Sequence, residues 1–406
     1  PAYRDSAIGT AYNTIDCNSI SYFPDDIYPA LIITAGFDVA KQEKADVKTY
    51  LGNGDNIYAS DKNLYIAVSR YQQQVQPLIK DSAAAVVNPA PASEQTKLYR
   101  FALTGGKIDY SGKAEVPGRI LNQFSMDEYG GYFRIATTSG EVWRNDQYTS
   151  QNNLYVVDDN LTVCGKLENL APGEQIYSTR FMGDRAYMVT FKNVDPLFVI
   201  DLKNPQKPAL LGKLKIPGYS DYLHPYDENH IIGFGKESIE LKSGDGESRP
   251  YYQGMKLALF DVSDVNHPIE MFKQTIGDRG TNSELLHNHK ALLFSREKNL
   301  LAFPVTVMEI AGPNKINPQG YPEYGSFSFQ GAYVYNLDLS KGFQLKGRIT
   351  HLDENDYKKA GDSWYNSEQN VERIIYSGDS LYTLSPSMIK ANRLVDLKQT
   401  GSVNLP

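Results

Sequence analysis

Six histidines occur in the chain, and three of them are spaced as metal ligands would be. His287 and His289 flank a single residue on the approach to an apolar run read as a strand. Alternate residues of a strand face the same side, so both imidazoles would reach one metal ion. His224, with Asp221 in Asp221-Tyr-Leu-His224-Pro, holds the corresponding place one repeat earlier. Together they would offer the three or four ligands that zinc or another transition ion needs. Histidines near strand ends more often make structural hydrogen bonds, and that role is favoured for these three.

A second group is ionic. Arg180, Glu284, Glu372 and Arg373 fall within or just before runs read as the first strand of a repeat. Adjacent Glu372 and Arg373 would serve as acid and base or as an anion site, and equally as structural ion pairs along a wet wall. Nucleophile elbows, phosphate-cradling glycine loops, His-Glu-x-x-His and dinucleotide fingerprints are all missing from the sequence. No residue is therefore assigned a catalytic role.

These groups are positioned by two hairpin signals that alternate along the chain. The first is a tight polar turn leading into an apolar run: Asp61-Lys-Asn-Leu-Tyr65, Glu128-Tyr-Gly-Gly-Tyr132, Gly183-Asp-Arg-Ala-Tyr187, Asp227-Glu-Asn-His-Ile231, Arg296-Glu-Lys-Asn-Leu300 and Gly378-Asp-Ser-Leu-Tyr382. The second follows each of these as strand, polar turn, strand and glycine. It is clearest in Phe198-Val-Ile-Asp-Leu-Lys-Asn-Pro-Gln-Lys-Pro-Ala-Leu-Leu-Gly212, and one further copy at 32–54 precedes the first signal. Such alternation describes four-stranded antiparallel units repeated radially, as in a β-propeller. Sandwich domains also give short strands, but they do not reproduce two hairpin signatures in turn along a whole chain. The expected fold is all-β, a seven-bladed β-propeller forming one domain over residues 1–406. Its blades fall near 10–54, 55–118, 119–173, 174–218, 219–280, 281–352 and 369–406.

Composition agrees. Twenty-nine tyrosines, 32 glycines and 21 prolines suit many short strands joined by turns. Forty-one basic against 48 acidic residues give a net charge of −7, which repels nucleic acid in the absence of a basic patch. No apolar stretch reaches the ~18 residues of a membrane span. The start, Pro1-Ala2-Tyr3-Arg4-Asp5, has neither the basic beginning nor the apolar core of a signal peptide. Cys17 and Cys164, the two cysteines, fall in non-neighbouring repeats and are expected to stay unjoined. Long insertions at 72–95, 236–253, 309–325 and 352–368 read as loops, with helix limited to a turn or two. Tyr251, Tyr252, Tyr321, Tyr324, Trp364 and Tyr365 lie in them and suit stacking on sugars or protein partners.

The stretch Tyr177-Ser-Thr-Arg-Phe-Met-Gly-Asp-Arg-Ala-Tyr-Met-Val-Thr-Phe191, with Asp195–Leu202, Leu214–Tyr226, His289–Leu301 and Val371–Ser385, resembles the secreted bacterial and archaeal proteins that carry a C-terminal β-propeller domain. That family has no settled activity. The resemblance implies a β-propeller, an exported protein found outside the cell or at its surface, and a binding role. The resulting expectation is a monomeric, non-catalytic binding or scaffold module for a protein or carbohydrate ligand. A hydrolase or lyase with a site at the channel mouth, supported by a metal ion if the histidines converge, is the alternative.

Overall fold

The computed structural model describes residues 2–23, 28–72, 93–191, 195–216, 218–242, 248–312, 316–317, 320–363 and 366–406. Strand accounts for 59% and helix for 5% of the described residues, so the protein is all-β. Among the described residues, six antiparallel sheets each have four strands hydrogen-bonded in sequence order. The second sheet comprises Asn56–Ala59, Asn63–Gln72, Ser93–Thr104 and Lys107–Pro117; the third, Met126–Tyr129, Tyr132–Ser139, Gln151–Val157 and Val163–Leu170. The fourth comprises Gln175–Met182, Arg185–Phe191, Asp195–Asp201 and Ala209–Ile216; the fifth, Tyr219–Pro225, His230–Lys242, Ser248–Asp261 and Ile269–Ile276. The sixth comprises Leu293–Ser295, Leu300–Glu309, Ser326–Asp338 and Gly342–Ile349; the seventh, Arg373–Ser377, Ser380–Leu384, Met388–Arg393 and Gln399–Asn404.

The first sheet departs from the expected four antiparallel strands. It has three, ordered Ile20–Tyr22, Asp46–Leu51, Leu31–Gly36, and its first pair is parallel. Asp46–Leu51 thus lies between the two strands that precede it in the chain, an order that no turn chemistry in the sequence announces. A short ribbon, Ala2–Tyr3 with Asn13–Thr14, precedes it.

The chain divides into two compact units, Pro1–Ile176 with Asp201–Ala209, and Tyr177–Ile200 with Leu210–Pro406. The core of the first lies between sheets, where Tyr65, Leu98, Phe133, Ile135 and Tyr155 pack together. In the second, Tyr187, Val189, Leu197, Leu223, Ile231 and Phe260 form one cluster, and Leu300, Val334, Ile374 and Leu381 another. Each fully buried aliphatic or aromatic side chain contributes about 1.5–3 kcal/mol. Burial grades across each sheet. Ala186–Phe191 of a second strand is buried without a break, whereas Gln399–Asn404, an outermost strand, is exposed at every residue. The unbroken apolar runs of the second strands reflect cover on both faces.

Neighbouring sheets interlock through one recurring device. The last-hairpin turn of one sheet sits against the outermost strand of the sheet before it, at a residue kept small. A methyl group at Gly165 would lie 1.9 Å from the Pro205 carbonyl oxygen, and one at Gly212 would lie 2.3 Å from that of Val265. Gly36 meets the Gly106 carbonyl oxygen in the same way, whereas Gly112 and Gly347 meet the side chains of Leu161 and Leu397. In the fifth sheet Phe272 holds this position, and the glycine stands instead at the tip of the facing turn, Gly342.

One of the insertions read as loops is strand, and another carries the expected turn or two of helix. The one at 236–253 is a lengthened hairpin, in which Glu240 pairs with Pro250 and Leu241 with Arg249. The one at 352–368 carries the helix Glu354–Ala360, opened by a capping box between Asp353 and Asp356. Most of 72–95, together with Trp364 and Tyr365, lies outside the described residues. Cys17 and Cys164 are both free.

Candidate functional site

The second unit carries the chemistry. Its starting point is a β-bulge in Tyr219–Pro225: Ser220 pairs with Gly235 and Tyr222 with Phe234, leaving Asp221 without a partner in the ladder. Gly235 permits this, since a methyl group there would lie 1.8 Å from the Tyr219 carbonyl oxygen. Such bulges re-aim a side chain. Asp221 is half-buried and hemmed in by protein, and loss of solvation pushes its carboxyl up to about 7, against the pull of the Lys236 charge. Burial in turn pushes Lys236 down to about 8. The Lys236 ammonium donates to the Thr281 carbonyl and, at 3.2 Å, to Asn282 Oδ1. This lysine ties the strand His230–Lys242, the partner of the bulged strand, to the segment that leads into the sixth sheet.

His224 shares a 3.0 Å hydrogen bond between its Nδ1 and the Tyr222 hydroxyl, and packs edge-on against Phe294. Burial, with the nearby charges of Arg180 and His289, pushes its pKa down to about 4, so it is neutral at pH 7. His289 lies with its ring 6.2 Å from that of Tyr222 and is shifted in the same direction, chiefly by burial. Arg180, Tyr222, His224 and His289 thus form one partly buried cluster.

Glu284, His287 and Glu372 come together elsewhere, in a cleft of about 640 Å³. Ser283 opens a 3-10 turn, Glu284–Leu286: its hydroxyl accepts from the Leu285 amide and donates to the Pro304 carbonyl at 2.5 Å. Asn288 holds the Glu284 carboxylate at 2.9 Å. Gln330 places the opposite wall, its buried amide accepting from the Val371 amide at 3.0 Å and donating to the Val371 carbonyl at 3.1 Å. That clasp fixes the backbone from which Glu372 projects. Asn282 and Thr306 exchange backbone hydrogen bonds across the floor. At the rim the Arg279 guanidinium lies 4.1 Å over the Tyr324 ring and 5.7 Å from that of Tyr251, and it donates to the Pro322 carbonyl at 2.7 Å. The aromatic insertions therefore converge on the cleft through Tyr324, with Tyr321 beside Tyr251.

His224, His287 and His289, which spacing would allow to share a metal, are set apart by local backbone. His287 closes one 3-10 turn and His289 begins the next, His289–Ala291, so the His-x-His is not extended and its imidazoles are not held to one side. One faces the cleft with Glu284, and the other joins His224. Among the described residues, no three His, Cys, Asp or Glu side chains are gathered as a metal set. Glu284 sits in a turn just before the first strand of the sixth sheet, and Arg373 donates to the Glu372 carbonyl at 2.8 Å without lining the cleft. Sequence reasoning missed Lys236, Arg279 and Gln330. Gly233-Phe-Gly235-Lys236 does carry a signal, because paired glycines inside a strand mark a bulge.

The sequence profile of the beta propeller domain matches residues 1–397. The chain belongs to the beta propeller domain family. This propeller is 53% identical over 164 residues to an uncharacterized protein of Methanocaldococcus jannaschii, an overlap of 40% of the chain and 24% of the relative. It is 40% identical over 211 residues to an uncharacterized protein of Archaeoglobus fulgidus, covering 52% and 30%. The chain thus spans less than a third of the length of these curated relatives. Among solved structures, the propeller is similar to the β-propeller domain of the Trilobed protease from Pyrococcus furiosus, with a TM-score of 0.36 and 9% identity over 83% of each chain. It is also similar to apo AztD from Citrobacter koseri, with a TM-score of 0.38 and 13% identity over 92% and 94%.

Proposed function

We propose that this propeller is a non-catalytic binding module, acting outside the cell or at its surface, and that it holds a carbohydrate in the cleft between Glu284 and Glu372. One observation carries the reading: the cleft combines carboxylates, side-chain amides and hydroxyls with an aromatic rim. Asn282, Thr306, Gln330, Asn366 and Asn370 line it together with Glu284, Glu372 and Tyr324. Hydroxylated ligands need donors and acceptors on several sides and a flat apolar face for the ring. Tyr324 is 68% exposed and held by Arg279, which offers such a face without further ordering. Extracellular placement is supported by the resemblance of Tyr177–Leu301 to exported propellers.

A glycan array probed with the purified chain tests this. The wild type is expected to bind a restricted set of oligosaccharides. Tyr324→Ala and Glu372→Gln should each weaken binding about tenfold, the equivalent of about 1.4 kcal/mol, with the melting temperature unchanged. Array profiles that do not differ between wild type and variants would remove the cleft from the reading. Hydrolysis of a bound oligosaccharide would replace the binding module with an enzyme.

A further inference from the structure

We propose that Asn160 is the acceptor of an N-linked glycan. The inference goes beyond ligand binding and rests on the extracellular placement proposed above, because this modification is made on exported chains.

Asn160-Leu161-Thr162 is the one place in the chain where an asparagine is followed two residues later by serine or threonine. That spacing marks an acceptor, since the carboxamide takes the sugar and the hydroxyl two residues on is read by the transferring enzyme. A lone triplet also arises by chance, and what singles this one out is the turn that carries it. The turn joins Gln151–Val157 to Val163–Leu170 at the outer end of the third sheet. Asp158 closes it. Its amide donates to the Thr162 carbonyl, its carbonyl accepts from the Leu161 amide and its carboxylate accepts from the Thr162 amide, each at 2.9 Å. Arg100 of the second sheet holds the next residue, donating to the Asp159 carbonyl and carboxylate at 3.0 Å each. Leu161 takes a φ of 61°, a conformation rare for a branched side chain, and packs onto the apolar core shared by the second and third sheets, beside Gly112. All of these residues belong to one compact unit.

Between such fixed neighbours Asn160 has no structural task. It is exposed, and its carboxamide makes no hydrogen bond among the described residues; the Thr162 side chain is exposed too, and its hydroxyl makes none either. The seventh sheet offers a comparison within the same chain. There Leu397, with a φ of 58°, plugs the sheet before it beside Gly347. The residue preceding that leucine is Asp396, whose carboxylate accepts from the Lys398 amide and from Arg393 Nε at 3.1 Å each. At 160 the same place is held by a side chain that the fold leaves idle. In the transfer, Asn160 Nδ2 bonds to the anomeric carbon of a sugar while that carbon's bond to the phosphate oxygen of a lipid-linked oligosaccharide breaks. The lipid phosphate leaves with the electron pair, and the amide nitrogen gives up one proton. An exposed side chain without contacts carries the product with no packed group having to move.

The test is the intact mass of the full chain, exported behind a host leader in an archaeon that glycosylates its own surface proteins. The wild type should gain the mass of the host's glycan, located to the tryptic peptide Asn145–Lys166. Asn160→Gln and Thr162→Ala should stay at the sequence mass, and Thr162→Ser should recover the modification at least in part. Made without the leader, all three variants should melt with the wild type, so that loss of the glycan is not loss of the fold. An exported wild type at its sequence mass, beside a normally glycosylated host protein, would overturn the proposal. So would a glycan that persists in Asn160→Gln. Recovery of the native protein from the cytoplasm would overturn the extracellular placement, and the modification with it.

Discussion

Alanine at position 165 should destabilise the protein by about 3 kcal/mol, while alanine at 401 should change it by less than about 0.5 kcal/mol or stabilise it slightly. Both are glycines at the same register of an outermost strand. At 165 the new methyl group would lie 1.9 Å from a backbone oxygen, which cannot rotate aside, so the turn at Pro205 must move and lose its fit. At 401 nothing among the described residues of its own unit lies within 4 Å, and the substitution only narrows the freedom of the unfolded chain. Urea midpoints of the two variants and the wild type decide it. Equal shifts would mean that these glycines are not seats.

The second large effect belongs to His351, and it should appear only as pH falls. This residue is 3% exposed, just beyond the strand Gly342–Ile349, with Nδ1 3.0 Å from Ser385 Oγ and Nε2 2.8 Å from Thr383 Oγ1. Burial pushes its pKa down from 6.5 to about 4. Between those values the unfolded chain binds the proton and the folded one does not. The stability that the neutral ring provides above pH 6.5 is therefore lost progressively down to about pH 4, by about 3 kcal/mol. His224 acts in the same direction. Asp221 acts in the opposite one, because its carboxyl, raised to about 7 from 3.8, penalises the folded state at neutral pH and ceases to do so on acidification. Comparing the wild type with His351→Gln isolates the one group. The variant should be less stable at pH 7 by about 1–3 kcal/mol, with Thr383 and Ser385 left without the ring. The gap should close towards pH 4. Parallel stability curves from pH 7 to pH 4 would show that His351 is not held neutral.

The hairpins were legible because each has its own local chemistry. The turn at Gly183–Asp184 sits where an apolar run breaks and resumes, and Met182 and Arg185 flank it as strand ends. The lengthened hairpin at 236–253 reads as a loop in sequence because its strands are charged. Exposed strands on a hairpin tip need no apolar face, so alternation fails as a signal there. The parallel pairing of Ile20–Tyr22 was invisible for a related reason, since three residues carry no period. For the site, residue types were legible but their grouping was not. A His-x-His shares a face only if its backbone is extended, and Ser283 and Asn288, both good cap residues, turn this one into two short helical turns. Gln330 is buried and lies 41 residues from the backbone it clasps, and no spacing rule reaches that far.

The gradient of burial across each sheet also sets how the molecule comes apart. Amide protons of strands such as Ala186–Phe191 are shielded on both faces and exchange with solvent only when a whole unit opens. Those of Gln399–Asn404 need only the loss of one flank of ladder bonds. Motion therefore spreads inward from the perimeter, and outer hairpins open and re-close many times for each opening of an inner strand. The perimeter is consequently where a protease first finds extended backbone, and where inserted residues are tolerated best.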